Sequence, residues 1–253
     1  MNILVTGATG TLAQNISKNG IVEFRVTKSS TFIDFQNTKP VESTLIHFAS
    51  LTNAQTIAAD TDFAKSVIVD GTLKLAKEFF DRGGKRFLYI STGHVYGPNY
   101  LEPVTELDNV CPSTDYATLK YSAELEIQKI VLAPNQEICI ARVFSIFDNG
   151  MPAHFLAGKI EQQLKLKHVY PLINYSADVR DFMTIQEAQS KIMEVATKGM
   201  PGNIYNVSTG KATTVANRIL QTYPEFPREL LEPSTSNFPY LVGNSAKLEK
   251  ISS

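Results

Sequence analysis

Residues 2–13 read NILVTGATGTLA, a short apolar run that favours a β-strand and then turns at Gly7 and Gly10. The residues that follow can form a helix to about Asn19. A strand, a glycine turn and a helix in this order bind the pyrophosphate of a dinucleotide, because glycine lets phosphates approach the backbone and the helix start offers free N–H groups. The spacing Gly-x-x-Gly-x-x-Ala differs from the commoner Gly-x-Gly-x-x-Gly, so an ordinary glycine-rich β–α turn is the alternative.

The first 147 residues alternate between strand and helix patterns. The run TLIHFA at 44–49 is nearly continuous in apolar character, which is typical of a parallel strand covered on both faces. His47 within this run is expected to be a buried, hydrogen-bonded imidazole. We therefore predict an α/β fold with a Rossmann-type, doubly wound parallel sheet. Its strands are expected at 2–6, 21–27, 31–35, 44–49, 85–91 and 137–143, and its helices at 60–82 and 114–133.

Residues 148–253 are less regular and predict a smaller α/β region that binds the substrate. Helices are expected near 153–166, 186–198, 213–222 and 245–250, and short strands near 168–172 and 203–207. The strand at 203–207 could return to the first sheet. The predicted organisation is thus a dinucleotide-binding domain at 1–147 followed by a substrate-binding region at 148–253.

Composition argues against several classes of function. The 253 residues carry a net charge of −1 and no long basic run, so nucleic acid and anionic membranes are not expected partners. No signal peptide or apolar run of membrane-spanning length is evident, and the two cysteines form no disulfide framework. The four histidines are scattered and predict no metal site. We expect a cytoplasmic protein.

The end of the second predicted strand bears on cofactor choice. A site that selects the 2′-hydroxyl of NAD places Asp or Glu there, but this chain has Thr27-Lys28-Ser29. A lysine with hydroxyl neighbours suits the 2′-phosphate of NADP, so we predict NADP in preference to NAD. The alternative is that Lys28 is an ordinary solvated loop cation.

Tyr116-Ala-Thr-Leu-Lys120 places a phenol and an ammonium one helical turn apart on the same face. A free tyrosine has a pKa of about 10, and a fixed cation nearby favours the phenolate and lowers that value. Such a pair can move a proton on or off an alcohol oxygen, although one such spacing is also expected by chance. Thr92 follows a predicted strand, at the edge where open α/β sheets bind ligands.

Seven segments, taken in order, resemble motifs of the extended short-chain dehydrogenase/reductase family, the NAD-dependent epimerases and dehydratases that mostly modify nucleotide sugars. Thr92 and Tyr116 also stand at the separation usual in that family. The segments are Gly7-x-x-Gly10-x-x-Ala13, Ile46-His47-Phe48-Ala49, Ser91-Thr92-x-x-Val95-Tyr96-Gly97, Tyr116-x-x-x-Lys120, Ala141-Arg142-Val143-Phe144-Ser145, Arg180-Asp181-Phe182-Met183-Thr184-Ile185 and Asn203-Ile204-Tyr205-Asn206-Val207-Ser208-Thr209-Gly210.

The resemblance implies a role for each of these segments. Tyr116 would be the acid/base, Lys120 would lower its pKa and hold the nicotinamide ribose, and Thr92 would bind the reacting oxygen. The cofactor would contact Gly7, Thr9, Gly10, Thr11, Leu12, Lys28, Asp34, Phe35, Phe48, Ala49, Ser50, Thr52, Ile90, Tyr116, Lys120, Val143 and Phe144. The nucleotide sugar would contact Thr92, Gly93, His94, Ser145 and Arg180, whose guanidinium would bind the diphosphate.

Departures from the family pattern narrow the expected reaction. The family's 4,6-dehydratases carry an Asp-Glu pair after the threonine, whereas this chain has Gly93-His94, so 4,6-dehydration is not expected. His94 could be a second acid/base or could orient its loop. Ile68 and Ser145 stand where the family usually has asparagines.

The predicted function is that of an NAD(P)-dependent enzyme that reduces a 4-keto-6-deoxy nucleotide sugar. The alternative is a nucleotide-sugar 4-epimerase that keeps NAD bound and uses the same tyrosine, lysine and threonine. An NADP-binding regulatory protein without activity is an alternative from a different class. Relatives commonly dimerise through the helices at 60–82 and 114–133, so a homodimer is expected.

Overall fold

A computed structural model describes residues 2–14, 16, 20–35, 39–166, 173, 175–231 and 239–252. The strands are β1 (Asn2–Thr6), β2 (Glu23–Thr27), β3 (Ser30–Asp34), β4 (Ser43–His47), β5 (Arg86–Thr92), β6 (Glu137–Val143), β7 (Ser145–Ile146), β8 (Val179–Met183), β9 (Ile204–Val207), β10 (Ala212–Thr214) and β11 (Tyr240–Leu241). The helices are α1 (Ala54–Ala59), α2 (Thr61–Lys65), α3 (Gly71–Asp81), α4 (Asp115–Gln128), α5 (Leu156–Leu166), α6 (Ile185–Lys198), α7 (Val215–Thr222) and α8 (Ala246–Ser252).

The centre of the molecule is a five-stranded parallel sheet in the order β1-β4-β5-β6-β9. All five residues of β4 are buried, as expected for a strand covered on both faces. Helices flank this sheet, and the predicted Rossmann-type α/β fold is confirmed. Strand β9 comes from the C-terminal half of the chain and pairs with β6. The division into two domains at residue 147 stays a prediction.

The second and third strands lie outside the central sheet, contrary to the sequence-based prediction. β2 and β3 form an antiparallel hairpin, and among the described residues an isolated bridge between Val5 and Ile21 is the only β-pairing that joins this region to β1. The reason is the two-residue turn at Lys28 and Ser29, because a parallel neighbour requires a crossover of a dozen or more residues. The hairpin packs on the start of α3, where a Cβ on Gly71 would lie 2.8 Å from the Phe24 ring.

Other local predictions differ from the structure in smaller ways. The helix predicted at 60–82 is α2, a π-helical turn at Ser66–Asp70 and α3. Residues 11–14 form turns rather than the start of a helix, and most of 15–19 and all of the strand expected at 168–172 lie outside the described residues. A small second sheet of β7, β8, β10 and β11, and helix α1, had no counterpart in the prediction.

His47 is a buried imidazole with both ring nitrogens satisfied. Thr72 Oγ1 donates to the carbonyl of Ile68 at 2.7 Å and so accepts from His47 Nε2 at 2.9 Å. The other nitrogen, Nδ1, then accepts from Thr6 Oγ1 at 2.6 Å. Burial, and the positive charge of Lys120, lower the pKa of His47 well below its ordinary value. This neutral imidazole ties β1, β4 and α3 together and is structural.

A buried ion pair joins α4 to the central sheet. Arg142 on β6 donates from Nη2 to Glu124 Oε2 on α4 at 2.7 Å, and the two side chains are 3% and 0% exposed. The hydroxyl of Ser91 on β5 donates to the same carboxylate. The Arg142 guanidinium also lies 4.8 Å from the ring centre of Tyr96, whose hydroxyl donates to Asn206 on β9. One carboxylate thus connects α4 with β5 and β6.

No helix of the described ranges is both long and apolar enough to cross a membrane.

We predict that Glu124→Ala lowers the free energy of unfolding by about 3–5 kcal/mol, because it leaves the Arg142 charge buried without compensation. Urea denaturation followed by circular dichroism measures this loss. The matched control is Glu126→Gln, which removes a surface ion pair with Lys129 on the same helix. This control should cost less than about 1 kcal/mol. Equal losses for the two variants would show that the buried ion pair stabilises the fold no more than the surface ion pair does.

Candidate active site

A cavity of about 870 Å³ opens at the edge where the parallel strands end. It runs from the glycine turn after β1, past the loop after β4 and the ends of β5 and β6, to the segments around residues 145–156 and 175–182. One face of α4 forms its wall. Ligands bind at this edge of open α/β sheets, so the cavity is the candidate active site.

Two glycines without side chains, Gly7 and Gly10, shape the turn after β1. Gly7 has a φ of +69°, and a Cβ there would lie 2.8 Å from the backbone nitrogen of Ala49. The amide of Gly10 closes the turn by donating to the carbonyl of Gly7 at 2.8 Å. The arrangement fits a dinucleotide pyrophosphate, which needs close approach to backbone N–H groups. The predicted contacts of this region that line the cavity are Gly7, Thr9, Gly10, Thr11, Leu12, Phe48, Ala49, Ser50 and Thr52.

Tyr116 and Lys120 lie on α4, which begins after Thr114 caps it by accepting from the amide of Ala117 at 3.2 Å. Both side chains line the cavity, and the Lys120 ammonium lies 4.1 Å from the ring centre of Tyr89. Burial lowers the pKa of Lys120 to about 7, although Glu124 opposes this change. Burial raises the pKa of Tyr116 to about 12. Lys120 is not among the causes of this shift, so the lowering expected from it is not found.

Thr92 ends β5 and lines the same cavity as Tyr116 and Lys120, together with Ile90, Val143 and Phe144. Its Oγ1 accepts from the amide of His94 at 3.2 Å and starts a short 3₁₀ turn, Gly93–Tyr96. Gly93 is not among the residues that line the cavity, and its contact with the substrate stays a prediction. A Cβ on Gly93 would stand 2.9 Å from the Phe144 ring, so this position requires glycine for packing.

His94 and Ser145 also line the cavity, and their contact with the nucleotide sugar stays a prediction. The His94 side chain is exposed to the cavity but enclosed by the surrounding protein. This burial, and the charge of Arg180, lower the pKa of His94 to about 4. At neutral pH the imidazole is therefore uncharged and can donate or accept a hydrogen bond.

Arg180 also lines this end of the cavity, and it is already engaged. Its Nη2 donates to Asp178 Oδ2 at 2.8 Å, and its Nη1 donates to the carbonyls of Val179 at 3.1 Å and Pro239 at 3.2 Å. Asp178 lines the cavity as well, but the sequence-based prediction missed it. The available signal was its position two residues before Arg180 at the start of a strand, since residues i and i+2 share a face.

Lys28, Asp34 and Phe35 do not line the cavity, and their contacts with the cofactor stay a prediction. Lys28 forms an ion pair with Asp60 at 2.5 Å, and Phe35 is 3% exposed in the core. Lys28 lies in the turn of the β2–β3 hairpin, and Asp34 and Phe35 lie at its end. Four apolar residues that the prediction did not include line the cavity instead: Phe24, Val26, Phe63 and Val67.

Within the part of the chain that the structure describes, no group of three or more His, Cys, Asp or Glu side chains could hold a metal ion.

Comparison with known proteins agrees with this geometry. The family described as "NAD dependent epimerase/dehydratase family" matches residues 13–208. Curated relatives include the dTDP-D-glucose 4,6-dehydratase of Mus musculus, 25% identical over 72% of this chain and 52% of the relative. Another is the GDP-6-deoxy-D-talose 4-dehydrogenase of Aggregatibacter actinomycetemcomitans, 24% identical over 98% of this chain and 90% of the relative. The chain spans about half the length of the first curated relatives it matches.

Two solved structures show the same fold. A double mutant of DesIV, a dTDP-glucose 4,6-dehydratase from Streptomyces venezuelae with NAD and DAU bound, superposes with a TM-score of 0.82 at 17% identity, covering 99% of this chain and 90% of that one. RMD from Pseudomonas aeruginosa in complex with NADPH gives a TM-score of 0.80 at 21% identity, covering 99% and 92%. The family match covers most of the sequence and confirms the resemblance that its motifs indicated: this chain belongs to the NAD dependent epimerase/dehydratase family.

Proposed function

We propose that this protein reduces a 4-keto-6-deoxy nucleotide sugar to the corresponding hydroxy sugar. The observation that carries the proposal is the set of polar groups around Thr92. Tyr116 and Lys120 open into the same cavity as Thr92 and the glycine turn. Among the described lining residues, the only carboxylate belongs to Asp178, which is bound to Arg180. Reduction needs one proton donor, whereas dehydration also needs an acid/base pair beside the sugar.

The protonation state of Tyr116 also favours reduction. A phenol with a pKa of about 12 keeps its proton at neutral pH, which is the form that a proton donor requires. The relative that matches nearly the whole chain bears the name of a GDP-6-deoxy-D-talose 4-dehydrogenase. Oxidation at C4 of a 6-deoxy sugar nucleotide is the reverse of the reduction proposed here.

In the proposed mechanism the Gly7–Leu12 turn would hold the cofactor pyrophosphate, and Val143 and Phe144 would border the nicotinamide. A bound reduced nicotinamide would supply the hydride to the carbonyl carbon at C4. Tyr116 donates its phenolic proton to the carbonyl oxygen, while the hydroxyl of Thr92 donates a hydrogen bond to the same oxygen. Lys120 lies one helical turn away on the same face, and its ammonium form would stabilise the phenolate that this transfer leaves behind.

We propose NADP(H) as the preferred cofactor. The cavity end formed by Phe24, Val26, Phe63 and Val67 presents no carboxylate among its described residues to bind a 2′-hydroxyl. Lys28 is 76% exposed and held by Asp60, so it could reach a 2′-phosphate at the surface by exchanging this partner. A surface ion pair of this kind costs at most about 1 kcal/mol to break.

The reaction is tested by following the loss of NADPH absorbance with 4-keto-6-deoxy sugars linked to GDP or dTDP, and by identifying the product by NMR. A 4-hydroxy product that incorporates hydride from NADPH supports the proposal. Interconversion of UDP-glucose and UDP-galactose by the purified protein without added cofactor would instead support the 4-epimerase alternative. Cofactor binding without turnover of any sugar nucleotide would support the non-enzymatic alternative.

We predict that Tyr116→Phe lowers kcat at least about 100-fold, because it removes the proton donor but keeps the ring that packs in the wall. NADPH affinity, measured by fluorescence titration, should stay within about twofold, since the phenol is not needed to bind the pyrophosphate. The control is Tyr121→Phe on the same helix, because Tyr121 does not line the cavity. Substantial activity in Tyr116→Phe would remove this residue as the proton donor.

We predict that Lys28→Ala weakens NADPH at least about fivefold more than NADH, as expected for one charge-assisted contact to a phosphate. The Kd values of both cofactors are measured on the same protein preparation. The control is Lys65→Ala, which removes a neighbouring exposed lysine that pairs with Asp70. Equal losses for the two cofactors would mean that Lys28 does not recognise the 2′-phosphate.

A further inference from the structure

The substrate end of the cavity contains an ion pair that the sequence motifs do not account for. Asp178 and Arg180 both line the cavity, with a distance of 2.8 Å between Asp178 Oδ2 and Arg180 Nη2. Their side chains are only 10% and 16% exposed. The pair is therefore shielded from bulk water and interacts more strongly than a surface pair.

The Arg180 guanidinium has main-chain partners besides Asp178. Its Nη1 donates to the carbonyls of Val179 and Pro239, so one end of the group is fixed by the main chain. Neither of these two bonds involves the side chain of residue 178. The donor at Nη2 is therefore the one that a ligand anion could bind, by replacing Asp178 as its acceptor.

A carboxylate and a phosphate compete for the same donors on an arginine. Both are planar or tetrahedral oxygen anions that accept charge-assisted hydrogen bonds from a guanidinium. Asp178 is the only carboxylate in the described cavity wall. It accepts a hydrogen bond from Arg180, the residue proposed to bind the diphosphate of the sugar nucleotide. A diphosphate bound at Arg180 would therefore compete with Asp178 for the guanidinium, and the negative charge of Asp178 would repel it.

We propose that Asp178 is a specificity-determining residue that competes with the diphosphate of the substrate for Arg180. This inference rests on the proposed function, because it takes the diphosphate to bind at Arg180. Substrate binding exchanges the Asp178 carboxylate for a phosphate oxygen at Nη2, while Nη1 keeps its two carbonyl partners. The ligand class is a nucleoside diphosphate or its sugar conjugate, and Asp178 makes its binding weaker than the arginine alone would allow.

The test is the affinity of Asp178→Asn for UDP, GDP and dTDP, measured by calorimetry in the presence of saturating NADP⁺. Removing one buried negative charge at hydrogen-bond range should lower the Kd of the diphosphates about 10-fold. The matched control is Asp70→Asn, whose carboxylate pairs with Lys65 outside the cavity and should leave the Kd unchanged. The parent nucleosides serve as control ligands, and their affinity should not change.

Several outcomes would overturn the inference. An unchanged or higher Kd for Asp178→Asn would mean that Asp178 positions Arg180 rather than competes with the ligand. Tighter binding of the nucleosides as well would mean that the effect does not concern the diphosphate. Asp178→Ala is measured in parallel, because competition predicts tighter binding for both variants, and thermal unfolding verifies that each is folded.

Arg180→Ala separates this inference from the proposed function. Arg180→Ala should weaken diphosphate binding at least about 10-fold, as expected for the loss of a buried charge-assisted contact. That result would support the diphosphate site at Arg180 independently of the result for Asp178→Asn. If neither the unsubstituted protein nor Asp178→Asn binds any nucleoside diphosphate or sugar conjugate, both the inference and the proposed function are wrong.

Discussion

The buried ion pair between Glu124 and Arg142 is the constraint on which the proposed active site depends. Tyr116, Lys120 and Glu124 recur every four residues on α4, so they share the face that packs against the sheet. The Glu124 carboxylate is bonded to Arg142 on β6 and Ser91 on β5, directly before Val143 and Thr92. The angular position of α4 relative to the strand ends is thereby set. Separating the two partners would leave a buried charge uncompensated, so the ion pair holds α4 in a fixed position on the sheet.

Burial determines the charges inside the cavity as strongly as neighbouring groups do. It lowers the pKa of Lys120 to about 7 and that of His94 to about 4, and it raises the pKa of Tyr116 to about 12. Each change favours the neutral form of the group, as desolvation does in general. Arg180 and Asp178 keep their charges by pairing. The result is a site with a neutral acid and few free charges, which suits proton donation to a carbonyl.

The cofactor end of the cavity shows how a short local feature changes a common fold. The two-residue turn between β2 and β3 leaves no room for a crossover helix, so these strands form a hairpin beside the sheet. Their apolar residues Phe24 and Val26 then face the cavity, and Lys28 lies outside its lining. In the proposal, cofactor recognition at this end relies on packing and on a surface lysine rather than on a carboxylate at a strand end.

The sequence by itself determined the parallel strands, the glycine turn, the Tyr116–Lys120 spacing and the membership of the family. Each depends on residue types at fixed local separations, such as the apolar run at 44–49 and the two glycines after β1. Only the tertiary structure decided the hairpin of β2 and β3, the packing of Gly93 beneath Phe144, and the pairing of Arg180 with Asp178. The pKa directions of Tyr116 and Lys120 also required it. These features depend on which segments distant in sequence come together and on how much water they exclude, and no local spacing contains that information.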